Sequence, residues 1–168
     1  MKKKGIFSYC IILFMFCQVF ASNVGAITEV QSEAIVGHCD AIKEDLKRVQ
    51  KEDARVRVYL GGYYETILTK FITPLNVRLV ENNLSSAGLV ENQNNFAESK
   101  VIFANDFVVY QQDLEELVGM DCKEKPEEFY KQLATVRQKR KTMTQDVLKM
   151  RSLISEHIRL AEGLKGKI

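Results

Sequence analysis

Only two histidines, His38 and His157, occur in the 168 residues, and that scarcity removes chemistry before any fold is considered. A zinc site needs four convergent ligands, and the soft or borderline candidates are His38, Cys39, Cys122 and His157. His38 and Cys39 are neighbours, so on a helix they point about 100° apart. A di-metal carboxylate site in a bundle requires Glu three residues before a histidine, and isoleucines (Ile35 and Ile154) hold those places. The chain also lacks a Gly-x-Ser-x-Gly elbow and a glycine-rich phosphate cradle. Adjacent carboxylates such as Glu115-Glu116 and Glu127-Glu128 read as solvated helix surface. No enzyme is expected, and no catalytic residue, cofactor or metal.

Long apolar runs are equally scarce, for there is one. Lys2, Lys3 and Lys4 precede an apolar stretch from Ile6 to Phe20, and small residues follow it. At about fifteen residues the stretch is short of the roughly twenty that span a bilayer. Residues 1–26 therefore read as a signal peptide, cleaved after Ala21 or Ala26. Ala26 is preferred because a charged, periodic pattern begins just beyond it. Left uncleaved, the stretch would tether the bundle to a membrane. A lipid anchor is disfavoured by the bulky residues before Cys10 and Cys17. The expectation is a protein exported across the cytoplasmic membrane and soluble after cleavage, in the periplasm, at the cell surface or secreted.

Cleavage leaves two cysteines, Cys39 and Cys122, an even pair that in an oxidising compartment is a candidate disulfide. It also changes the charge. The whole chain carries a formal +2; without the three lysines the balance is −1. Residues 27–122 hold nine basic and sixteen acidic side chains, whereas residues 123–168 hold twelve basic and six acidic. Halves of opposite sign suit internal packing or self-association, not nucleic acid.

What the mature chain has in abundance is seven-residue periodicity. Ile35, Cys39, Ile42, Leu46, Val49, Asp53, Val56, Leu60, Tyr63 and Ile67 alternate spacings of four and three. Phe96, Lys100, Phe103, Phe107, Tyr110, Leu114 and Leu117 repeat the pattern, as does a third run from Phe129 to Leu164. Such seams are the signature of packed helices. Polar linkers at Asn82–Gly88 and Cys122–Pro126 divide them, and Pro126 suits a first helical position. The predicted fold is all-α: a signal peptide, then residues 27–168 as an antiparallel three-helix bundle or coiled-coil hairpin. Helices are expected near 30–82, 92–119 and 126–164, with a bend in the first near 61–74 at Gly61-Gly62 and Pro74. The disulfide requires that bend, because a straight first helix would leave the sulfurs mismatched by some 20 Å.

Several residues stand out against these seams. Asp53 and Arg140 both fall about 21 Å from the cysteine end, so they are expected to meet as a buried ion pair near Tyr110 that fixes register. Arg137, Lys139 and Lys141 form a basic cluster, readable as contact with an anionic envelope surface or, more plainly, as solvated helix. Tyr59, Tyr63 and Tyr64 beside the glycines form a possible partner patch; the plainer reading packs them inward at a bend. Asn83-Leu84-Ser85 matches a glycosylation sequon, relevant only in a eukaryotic secretory pathway.

The function expected from this is non-enzymatic: an exported structural or interaction protein, an adaptor or spacer of the cell envelope or surface. Its partner is expected to be a protein or a second copy, with no nucleic acid and no small-molecule substrate. One alternative is an extracytoplasmic holdase-type chaperone. The build resembles, at class level, small periplasmic helical chaperones with coiled-coil arms, although the C-terminal third here is helix rather than a separate oligomerisation body. Another is a membrane-surface binder acting through the basic third helix.

Overall fold

A computed structural model of the protein describes residues 27–84 and 87–164. The expected signal peptide, residues 1–26, lies outside the described residues. Everything described is helix, turn or short connection, and three long helices pack together.

Helix α1 (Glu29–Thr66) starts at a capping box: Gln31 N donates to Thr28 Oγ1, and Thr28 N donates to Gln31 Oε1. Two otherwise orphaned N–H groups are thereby satisfied. A π-helical turn, Ile67–Ile72, follows, and α2 (Thr73–Glu81) continues the same rod. Helix α3 covers Ala87–Gly119 and α4 covers Pro126–Glu162, with Pro126 in the first turn beside Glu127 and Glu128. Acidic side chains there oppose the positive end of the helix dipole.

One expectation is sharpened and one changes. Ile72 and Thr73 both keep right-handed helical dihedrals next to Pro74, and within the expected bend region 61–74 the regular α-helix is interrupted by the π-helical turn. Proline lacks an N–H and its ring crowds the carbonyl four residues back; the wider π turn just before it accommodates both, with Thr73 N–H donating to Leu68 O. The second expected helix begins at Ala87, not near residue 92. Leu89 is buried, and Gly88 lies against Leu160, so packing extends the helix into the linker. The earlier start lengthens the returning rod by about 7.5 Å, which removes part of the length mismatch that called for a bend.

Cys39 and Cys122 are bonded, with Cα atoms 5.7 Å apart. Around them lies the largest core cluster, including Ile35, Tyr110, Leu114, Leu117 and Phe129. Asp121 organises the adjoining loop by accepting from the Lys123 and Glu124 amides at 2.8 and 3.2 Å; these bonds hold its carboxyl below the usual range. A middle cluster holds Tyr64, Ile72, Phe96, Phe103 and Met150, and a far one Leu79, Leu89 and Leu164. Between the last two runs a polar layer: Asn76 donates to Leu89 O and Gln93 Oε1, and His157 Nδ1 meets Asn92 Oδ1 at 3.1 Å. Such bonds fix one register along otherwise greasy seams.

Candidate functional groove

Helices α1 and α4 both pack on α3, and along part of their length they stand apart. The gap is a groove of about 610 Å³. One wall is α1 from Asp53 to Leu60, the other α4 from Arg137 to Val147, and Phe103 and Phe107 of α3 form the floor. Val56 was expected in the seam, but here it is 52% exposed on the groove wall. At this level the first seam has a floor but no facing partner.

The Asp53–Arg140 pair bridges the two walls. Arg140 Nε donates to Asp53 Oδ2 at 2.8 Å and Nη2 donates to Oδ1 at 2.9 Å, a bidentate fork. The buried Tyr110 hydroxyl donates to the same Oδ2 at 2.6 Å. Burial first, and Asp53 second, push the Tyr110 hydroxyl well above its ordinary pKa of 10.0. The pair is less buried than expected: the Asp53 side chain is 14% exposed, but that of Arg140 is 54% exposed. The open groove is the reason, since it leaves one face of the guanidinium in water. The pair therefore does not carry the desolvation cost of a core ion pair.

The basic cluster divides. Lys139 turns to Asp113 in an ion pair across α3 and α4. Arg137 and Lys141 line the groove instead and form no ion pair among the described residues. Arg57, which sequence reasoning passed over, sits on the opposite wall with its guanidinium 5.4 Å from the centre of the Phe107 ring. The one hint in the sequence was its place one turn after Asp53.

The tyrosine patch divides as well. Tyr59 and Tyr63 are exposed and stack with ring centroids 6.4 Å apart. Tyr64 is buried instead, edge-on to Phe96 and Phe103. The seam slips by one residue after Leu60 and continues through Tyr64, Leu68, Ile72 and Asn76. That spacing of four matches the wider π turn.

The remaining chemical candidates are apart or already engaged. His38 is exposed, Cys39 and Cys122 are consumed in their bond, and His157 is buried in the polar layer. On α4, Asp146 is held above the usual carboxylate range by burial first and the neighbouring Asp106 second, and its Oδ2 has no hydrogen-bond partner among the described residues. Among the described residues no helix is long and apolar enough to cross a membrane.

No protein-family model matches the chain, and no curated protein or solved structure is significantly similar to it. Function has to be argued from these residues. What the groove offers is apolar contact below and, at Arg57, Arg137 and Lys141, positive charge above.

Proposed function

We propose that the protein is an exported, non-enzymatic interaction protein: an antiparallel three-helix bundle serving as an adaptor or spacer outside the cytoplasmic membrane. The observation that carries this reading is the groove between α1 and α4, an apolar floor rimmed by Arg57, Arg137 and Lys141. The exposed Val58, Tyr59 and Tyr63 on α1 supply a second contact face, and exposed aromatics beside aliphatics suit a protein partner. Export is supported by the Lys2–Phe20 pattern and by a Cys39–Cys122 bond of the kind that persists in oxidising compartments. The antiparallel order is supported by the pairing of Cys39 with Cys122, Asp53 with Tyr110, and Asn76 with Leu89.

A second reading draws on one observation of its own. Arg137 and Lys141 are exposed cations on one helix without carboxylate partners among the described residues, which suits an anionic membrane surface.

Expression in the native host with photo-crosslinking residues at Tyr63 and Val56 separates the two. The adaptor reading expects an extracytoplasmic protein beginning at Ser22 or Ile27, its thiols resistant to alkylation. It also expects one reproducible protein adduct from either position and none from Glu33. A cytoplasmic protein with free thiols would overturn export. Salt-sensitive sedimentation with anionic vesicles, lost on Arg137→Gln/Lys141→Gln and without any protein adduct, would replace the adaptor by the membrane binder.

A further inference from the structure

The groove is polarised along its length. At one end the Asp53–Arg140 pair ties the walls together, and Arg57, Arg137 and Lys141 stand around it. Asp53 is the only carboxylate in the lining, and both its oxygens are engaged, by Arg140 and by Tyr110. Three cations are left with no acidic partner among the described residues. Toward the other end the lining turns apolar, with Leu60, Phe103 and Val147. The step from Arg140 to Val147 on one wall, and from Asp53 to Leu60 on the other, is two helical turns, or about 10 Å.

We propose that this groove binds a single-chain anionic amphiphile, a long-chain fatty carboxylate. Its head would lie among Arg57, Arg137 and Lys141, and its chain against Leu60, Phe103 and Val147. This gives the groove an occupant other than the protein partner of the adaptor reading, which would then rest on the exposed Val58, Tyr59 and Tyr63. A protein adduct from Val56 without binding of dodecanoate would return the groove to that partner and overturn the present proposal. Sign and shape both select the ligand. Guanidinium forks match a planar carboxylate in two hydrogen bonds, as Arg140 already does with Asp53. At about 610 Å³ the groove lies within the range of small-molecule sites, roughly 300–1,000 Å³. A ligand whose head stops at the Asp53–Arg140 crossbar leaves that pair intact. The chain's own apolar stretch, Ile6–Phe20, is preceded by Lys2, Lys3 and Lys4 with no carboxylate nearby, the wrong sign for this rim.

Calorimetric titration of the purified protein, bond intact, tests the proposal with sodium octanoate, decanoate and dodecanoate below their micellar concentrations. One site per chain is expected, with Kd falling by up to about fifteenfold for each two carbons added. Dodecyltrimethylammonium, of equal chain length and opposite charge, should not bind. Arg137→Gln/Lys141→Gln should weaken dodecanoate about five- to tenfold and reduce the dependence on salt. Val56→Asp, at an exposed groove position, should abolish binding, while Val58→Asp, outside the lining, should leave it unchanged. Melting curves check that these surface variants fold. The proposal is overturned if no one-to-one binding of dodecanoate occurs or if the cationic amphiphile binds equally. It is also overturned if binding ignores both Val56→Asp and the double variant. Sedimentation with anionic vesicles without binding of free dodecanoate would assign the cations to a membrane surface and likewise overturn it. So would a dimer in light scattering that Val56→Asp dissociates, because a second copy would then fill the groove.

Discussion

Tyr110 has no exposed surface yet carries a hydroxyl, and Asp53 is what makes that tolerable. A buried hydroxyl without a partner costs about 1–3 kcal/mol. Tyr110→Phe removes the hydroxyl and leaves Asp53 forked to Arg140, so the expected loss in urea-unfolding stability is about 1 kcal/mol. Asp53→Ala strands the hydroxyl and frees Arg140, and should cost about 2–4 kcal/mol. The reverse ranking would mean that Asp53 does not hold the hydroxyl. A second buried residue with a proton to move is His157. Its Nδ1 meets Asn92, its Nε2 has no hydrogen-bond partner among the described residues, and burial lowers its pKa below the ordinary 6.5. The unfolded chain therefore takes up a proton near pH 6.5 that the folded chain still refuses. Stability from this group is complete above about pH 6.5 and is lost as pH falls toward the folded value. Urea midpoints measured from pH 7.5 to 5.5 should decline, and His157→Leu should decline less steeply. Taking the difference between the two proteins removes the opposite contribution of Asp146, whose raised pKa favours the folded state at low pH.

At the scale of the helices, periodicity read the α3 and α4 seams well but not the whole of α1. Phe96, Phe103, Phe107, Tyr110, Leu114 and Leu117 are all buried. In α1 the heptad pattern chose Tyr63, and packing chose Tyr64, because a π turn downstream shifts the face by one residue. A strict seven-residue template cannot represent that shift. The groove was invisible for a different reason. Val56 fits an apolar seam, and only the distance between α1 and α4 leaves it uncovered, a quantity set by packing and not by spacing along the chain. The placement of Asp53 and Arg140 at one level was legible, since both were counted from the same end at a fixed rise per residue; the exposure of Arg140 was not. Gly61 and Gly62, read as weakening α1, lie within an unbroken helix, and a Cβ added at either meets nothing within 4 Å. Neither has a positive φ. Gly61→Ala and Gly62→Ala should therefore each stabilise the protein by about 0.4–1 kcal/mol, chiefly by narrowing the unfolded ensemble. A loss of stability in chemical denaturation would mean that α1 needs its flexibility there.

For the whole molecule, opposite charge on the two parts of the chain is realised as contacts between them. Lys123 pairs with Asp40, Lys139 with Asp113 and Arg140 with Asp53, each joining the basic last segment to the acidic first one. Exposed pairs contribute at most about 1 kcal/mol each, so salt should shift the melting temperature little. The covalent link has more leverage. Cys39 and Cys122 are 83 residues apart, and closing a loop of that size in the unfolded chain is worth about 4–5 kcal/mol when the native bond is unstrained. Reduction, or Cys39→Ser/Cys122→Ser, should then lower the melting temperature by about 10–15 °C. The loss should be felt first at the cysteine end, where the linker from Met120 to Lys125 is otherwise held by Lys43 donating to Met120 O and by the Asp121 turn. Hydrogen exchange should quicken around Ile35 and Leu117 before it quickens around Leu79 and Leu89. If both ends quicken together, the three core clusters unfold as one cooperative unit, and the bond stabilises the bundle as a whole.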